Sequence, residues 1–360
     1  MTHASVINPV LLLTGATGQI GQRLLIEWCK LGHKTVLALR NPDRQWPEIR
    51  LKLQECSAPA NNIAVIKTDL SEMNFGWGPD EINYLSSVTC VAHLAALWGW
   101  DLKWHDADNI NVQATIKLHS WASERGIPGP FVTACGFMSQ VPGRLEKMEL
   151  IGADVAWERA ASKWGAYETS KMKSYLSLHP NSMKNHPLPV TWIHPAAVIG
   201  DNGFKEVPEH SAIAGIIRSI SKRQMLFIPG SSRQIVPWVT GEYVAKYAIS
   251  LLLSEKNENH DHLLLDPNSP SLFDSVKIIS KAIGATAPIG HAPLAVFSLL
   301  LGIPFISKLL NTSKESLNFI ISSPPNSLTS SAWAHSKGIS HPPIKESLEC
   351  TAITWAKNHQ

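Results

Sequence analysis

The stretch LLLTGATGQIGQRLL, residues 11–25, constrains the fold more than any other part of this chain. An apolar run with no polar alternation reads as a strand covered on both faces. Three glycines, Gly15, Gly18 and Gly21, then follow at intervals of three and lead into a helical pattern. The first permits a tight turn, the second lets backbone approach a pyrophosphate, and the third allows a helix to pack closely on its strand. Thr17, Gln19 and Ile20 belong to the same turn, where free N–H groups and the positive end of the helix dipole face an incoming phosphate. A lone glycine pattern is weak evidence; a strand before it and a helix after it supply the required context.

The rest of the first half repeats that rhythm. Residues 10–14, 35–39, 63–67, 88–94, 131–134 and 190–194 read as strands, with helical stretches such as QIGQRLLIEWCKLG and NINVQATIKLHSWASERG between them. Strand and helix in alternation predict an α/β fold with a doubly wound parallel sheet. Residues 1–195 are expected to form the dinucleotide-binding (Rossmann) unit, with a return segment near 235–253. Beyond 195 the alternation breaks into Pro- and Ser-rich stretches and short helical pieces. Residues 196–360 therefore read as a smaller, mostly helical substrate-binding unit. Within it, the apolar segment APLAVFSLLLGIPFISKLL, residues 292–310, is borderline for a membrane span, which needs about 20 apolar residues. It is expected to cover a greasy cleft or pack in the core, with membrane contact as the alternative.

Composition narrows the partners. A net charge of +3 and no dense Lys/Arg block argue against nucleic acid. Five cysteines without ligand-like spacing indicate neither a disulfide framework nor a zinc site. The first residues lack a basic region followed by a long apolar run, so a cytoplasmic location is expected. His260 and His262, in ENHDHLLLD, are read as solvated loop residues, since no third ligand accompanies them. No metal is expected.

Two further features point to chemistry. Arg40 ends the second strand, in TVLALRNPD, where an acidic residue would bind a ribose 2′-hydroxyl and an arginine accommodates a 2′-phosphate. NADP(H) is therefore the expected cofactor, with NAD(H) as the alternative. In GAYETSK, residues 165–171, Tyr167 precedes Lys171 by one helical turn, so the two share a face. A phenol titrates near ~10. A neighbouring ammonium, with the positive charge of an oxidised nicotinamide, favours the phenolate, so Lys171 and the cofactor together are expected to lower the pKa of Tyr167 and fit it for general acid or base catalysis.

In order along the chain, TGATGQIG, TDL, HLAA, NVQAT, YETSK and HPAAVIG resemble the extended short-chain dehydrogenase/reductase family. DLSEMNFGW ahead of VAHLAA is similar to its thioester-reductase and fatty-acyl-reductase branch. The resemblance runs nearly the full length of the chain. It implies that Asp69 and Leu70 flank an adenine, that Leu94, Ala95 and Ala96 pass beside the cofactor, and that Pro195, Ala197 and Val198 lie against the nicotinamide. It further implies that Asn111 supports the site, that Lys171 also holds the nicotinamide ribose, and that Thr133 contacts the reacting oxygen. His194 stands where relatives often carry arginine, and Ser174 and Tyr175 where they carry a glutamate. Gly136 occupies a position that is often bulky. Either a monomer or a homodimer fits the family.

Trp98, Trp100 and Trp104 follow the fourth strand, at the sheet edge where open α/β folds bind ligands. With Trp164 and Trp238 placed near the same cleft, a lipophilic or aromatic substrate is expected. These observations together predict reduction of a ketone, aldehyde or acyl thioester. A nucleotide-sugar epimerase or dehydratase is the enzymatic alternative, with Arg218, Lys222, Arg223 and Arg233 as candidates for a diphosphate. A non-catalytic cofactor-binding regulator is the other.

Overall fold

The computed structural model describes residues 8–100, 102–152, 154–179, 188–254, 260–303, 305, 307 and 314–359. The apolar runs become the strands β1 (Val10–Thr14), β2 (Lys34–Leu39), β3 (Ile63–Lys67), β4 (Cys90–His93), β5 (Phe131–Ala134) and β6 (Val190–Pro195). Later in the chain come β7 (Ala197–Ile199), β8 (Phe227–Pro229), β9 (Trp238–Thr240), β10 (Asp261–Leu264) and β11 (Gly290–Ala292). Seven of them form one parallel sheet in the order β10-β6-β5-β4-β1-β2-β3, with β7–β9 and β8–β11 as separate parallel pairs.

Helices flank this sheet. Gln19–Lys30 packs against Gly241–Leu252, and Ala114–Glu124 packs against Ala166–Leu178. The principal core includes Leu11, Leu12, Leu13, Val91, Val132 and Ile193, each at most 2% exposed. Residues of this kind sit on fully covered strands, which is why they show no polar alternation. A second core gathers Ile213, Ile217, Val276, Ile279 and Leu348 around Trp238. It joins the helices Ala212–Ser221, Leu272–Ala282 and Ile344–Asn358.

Three expectations change. The chain's return to the sheet extends beyond residues 235–253, because β10 pairs with β6 from Asp261 to Leu264. His262 consequently lies buried on that strand, within 2.9 Å of the Tyr247 hydroxyl, rather than solvated on a loop. Trp238 is likewise a core residue, donating from Nε1 to Ser275 Oγ at 2.9 Å, and takes no part in a cleft. Among the described residues, all five cysteines are free and no cluster suited to a metal ion occurs.

Candidate active site

Strand order reverses between β1 and β4, so the carboxyl ends of these neighbours open a crevice. Gly15 turns there with φ +79°, a conformation L side chains rarely adopt. A Cβ on Gly15 would strike the backbone of Leu94 and Ala95, and one on Gly21 would strike the carbonyl of Gly15. The glycines thus bring strand, turn, helix and the loop after β4 within backbone contact. Gly18 caps the Gln19–Lys30 helix without any side-chain acceptor, leaving its first N–H groups for another partner. The residues present fit a dinucleotide: the crowded glycines make the close approach, and the uncapped helix start supplies donors for phosphate.

The surrounding segments converge on this turn. Gln19 Nε2 donates to the Val198 carbonyl at 3.5 Å, tying Ala197 and Val198, just past Pro195 at the end of β6, to the glycine loop. Arg40 is exposed at the end of β2, and Arg44 is exposed in the first turn of the following helix. Arg44 was not foreseen; Asn41 caps that helix by accepting from the Arg44 N–H at 3.3 Å, which sets Arg44 in its first turn. Asp69 and Leu70 follow β3 and are half-buried. The Asp69 carboxyl is held below its ordinary range, first by hydrogen bonds from Ser71, then by the charges of Arg40 and Lys67.

Between the glycine loop and the catalytic helix runs a buried relay. The Ala95 N–H donates to Thr14 Oγ1 at 3.3 Å, and Thr14 Oγ1 lies 2.8 Å from His93 Nδ1. On the other side of the ring, His93 Nε2 is 3.0 Å from Thr115 Oγ1, whose hydroxyl donates to the Asn111 carbonyl at 2.9 Å. Burial, and then the charge of Lys171, push His93 down to about 3, so its ring is neutral. Because Thr115 gives its own hydrogen to Asn111, it accepts from His93 Nε2–H. That leaves Nδ1 to accept from Thr14. The sequence reading missed this relay; the only local signal was the HLAA motif that contains His93.

Asn111, fully buried in a π-helical turn, Asp108–Gln113, does bring the site together. Its side chain accepts from Leu97 N–H at 2.7 Å, and donates to the Leu97 carbonyl at 3.0 Å and to Ser170 Oγ at 2.9 Å. Ser170 in turn donates to the Tyr167 carbonyl at 2.8 Å. One amide thereby fixes the loop after β4 to the helix carrying Tyr167 and Lys171. That helix can begin where it does because Gly165, at φ +101°, ends one helix and starts the next.

The expected depression of the Tyr167 pKa is not met in the chain alone. Burial, followed by Cys135 and Glu168, raises the phenol above its ordinary value, and burial also lowers the Lys171 ammonium. Removing water from both groups outweighs any gain from their shared helix face. Thr133 is buried, and its hydroxyl donates to the His93 carbonyl at 2.8 Å. Its hydrogen is therefore committed within the sheet. Beneath Tyr167, Arg144 holds Glu168 through both Nε and Nη2, at 2.7–3.0 Å, and both residues are buried. Nothing local in the sequence paired these two.

Aromatic rings lead outward from the phenol. Trp98 stands edge-on to Tyr167 with ring centroids 6.1 Å apart and touches Trp100 at 5.4 Å. Trp100 meets Phe319 at 6.0 Å, and Phe319 meets Phe137 at 6.3 Å. Trp98 and Trp100 line a cavity of about 1060 Å³ with Leu294, Leu301 and Ile320, and with the charged Lys147, Lys163, Lys314 and Glu315. Trp104 is elsewhere, packed with Ala107, Ala161 and Ala166 beneath the Lys173 ammonium. Trp164 lies beside the cavity under the guanidinium of Arg144, 4.7 Å from its ring centre. The apolar segment contributes the helix Leu294–Leu301, one side of which faces this space; residues 304, 306 and 308–310 of that segment lie outside the described residues.

No curated protein matches the chain by sequence. Solved structures share its fold at low identity. The terminal R domain of the myxalamid PKS-NRPS biosynthetic pathway superposes with a TM-score of 0.75 at 18% identity, covering 99% of this chain and 92% of that one. A thiolation-reductase di-domain from an archaeal non-ribosomal peptide synthetase gives 0.72 at 17% identity, over 98% of this chain and 75% of that one. Gre2 from Candida albicans, solved with NADPH, gives 0.69 at 16% identity, over 98% and 100%. Residues 13–248, from the glycine turn through the Tyr167 helix to the Gly241–Leu252 helix, match the NAD-binding family described as male sterility protein. The chain belongs to that family and is an NAD(P)-dependent oxidoreductase of the extended short-chain dehydrogenase/reductase type.

Proposed function

We propose that the protein is an NADPH-dependent reductase of a ketone, aldehyde or acyl thioester carried on a lipophilic or aromatic small molecule, with Tyr167 as proton donor. The observation that carries this reading is the position of Trp98, whose ring touches Tyr167 at one side and lines the large cavity at the other. A carbonyl brought to the phenol along that wall places its tail among Trp100, Leu294 and Leu301. The R domain, the di-domain reductase and Gre2 share the fold and lend the reading support.

The cofactor, when bound, supplies the hydride. Gly15, Gly18 and Gly21 hold its diphosphate, while Arg40 and Arg44 present two guanidinium groups to a 2′-phosphate. Tyr167 delivers its hydroxyl proton to the carbonyl oxygen as charge develops there, and regains a proton from solvent afterwards. A phenol raised by burial is fully protonated at neutral pH, which suits an acid in the reductive direction. Lys171 would set the potential around the phenol and hold the nicotinamide ribose of a bound cofactor. Thr133, having donated its hydrogen to His93, has none for a substrate oxygen, so stabilisation of that oxygen rests on Tyr167.

The four cations read for the nucleotide-sugar alternative stand apart from the cavity. Arg218 is engaged by the Glu209 carbonyl at 2.8 Å, and Lys222, Arg223 and Arg233 are exposed away from the cavity lining. A homologous series of aldehydes, ketones and acyl thioesters, assayed by NADPH oxidation, tests the reading. Binding should strengthen by up to ~0.8 kcal/mol per added CH₂ until the cavity is full. Tyr167→Phe should abolish turnover and keep cofactor affinity. A flat series, turnover of a nucleotide-sugar, or an active Tyr167→Phe enzyme would each reject it.

A further inference from the structure

The helix Leu294–Leu301 has two apolar sides. One lines the cavity through Leu294, Ser298 and Leu301; the other leaves Val296 47% and Leu299 77% exposed. The strand pair leading into it extends the same character, with Ile289 81% exposed and Leu226 and Phe227 also exposed on the partner strand. Single exposed apolar residues are ordinary, but a run of them across a helix and two paired strands marks a docking surface.

Charge identifies the occupant. Residues 210–241 and 275–314, the two segments that meet as β8 and β11, contain no aspartate or glutamate, and Lys222, Arg223, Arg233, Lys277, Lys281 and Lys314 are exposed on them, while Arg218 is buried against Glu209. Lys222, Arg223 and Arg233 are exposed on either side of β8. A protein partner of ordinary surface would be met by both signs of charge. An apolar face whose two segments carry exposed cations and no acid of their own matches an anionic bilayer, where the apolar groups enter the headgroup boundary and each cation adds attraction. No helix among the described residues is long and apolar enough to cross a membrane, so the contact is peripheral.

We infer that this face docks on anionic lipid surfaces. If the function proposed above also holds, on which this clause alone rests, the helix stands between bilayer and cavity, and a lipophilic substrate reaches the phenol without crossing water.

Flotation of the full chain with vesicles tests the docking without measuring turnover, so its outcome is separate from that of the reductase reading. The chain should float with vesicles of phosphatidylcholine and phosphatidylserine in equal parts, stay behind with phosphatidylcholine alone, and be released by added salt. Leu299→Glu, and Lys222→Glu combined with Arg233→Glu, should each weaken binding about tenfold or more. Unchanged melting temperatures would show that both variants remain folded. Equal binding to both vesicle types, or wild-type binding by both variants, would overturn the inference. A dimer dissolved by Leu299→Glu with no vesicle binding would overturn it too, and assign the face to a second copy of the chain.

Discussion

At the scale of single residues, the proposed preference for NADPH rests on two arginines. Arg40 and Arg44 are both exposed beside the end of β2, and only Arg40 sits where a strand-end reading looks for it. A lost charged hydrogen bond costs about 1.5–3 kcal/mol. Arg40→Ala should therefore weaken NADPH by that amount and leave NADH nearly unaffected, as titration with both cofactors would show. Equal losses would mean that the guanidinium does not meet the 2′-phosphate. Residue-scale reading was strongest where backbone geometry leaves little choice. Gly15 and Gly21 were legible because no side chain fits their places. Electrostatic fine structure was not: the raised Tyr167 phenol comes from burial in the folded chain, which no local motif reports.

Elements are held to one another by a few buried polar ties. Arg144 lies on the short helix Arg144–Lys147, and Glu168 on the helix Ala166–Leu178, one residue from the phenol. Their pairing matters less for what it adds than for what its loss would leave behind. Removing one partner strands a buried charge, which costs about 3–5 kcal/mol. Arg144→Met should lower stability in denaturant melts by that amount. Adding Glu168→Leu should recover much of the loss, because both charges then leave the interior together. If the single variant is no less stable than wild type, the pair is open to water. Asn111 makes a comparable tie, but a neutral one, between the loop after β4 and the Tyr167 helix. Its motif pointed to the role, though the Leu97 partner required the π-helical turn to be seen.

For the whole molecule, the sheet was readable up to β6 and not beyond. Six apolar runs announced six strands, but β10 hides in ENHDHLLLD, a stretch whose charges read as a loop. One of those charges also ties the strand to its neighbours. Asp261 Oδ1 lies 3.0 Å from His194 Nε2, and Asp261 Oδ2 lies 3.5 Å from His179 Nε2. Burial works to raise the Asp261 carboxyl, but the hydrogen bond and charge of His194, with His179, hold it below its ordinary value. A carboxyl depressed in the folded state stabilises at pH values above its unfolded pKa, about 3.9, and that contribution fades as pH falls through the folded value. Asp261→Asn should therefore melt lower than wild type near neutrality, and the two curves should converge below about pH 4. A gap that persists unchanged in acid would place the stabilisation elsewhere.

That late strand has a consequence for how the protein is made. A ribosome delivers the chain from its first residue onward, and domains tend to fold as they emerge. Here the sheet's flank beside β6 stays bare until residue 264 has left the exit tunnel, because only β10 covers it. The nascent chain must therefore carry an open row of backbone donors and acceptors while some seventy further residues, 196–264, are synthesised. During that interval the unfinished protein depends on its translation rate, and on whatever chaperone shields the gap, to reach the state described above.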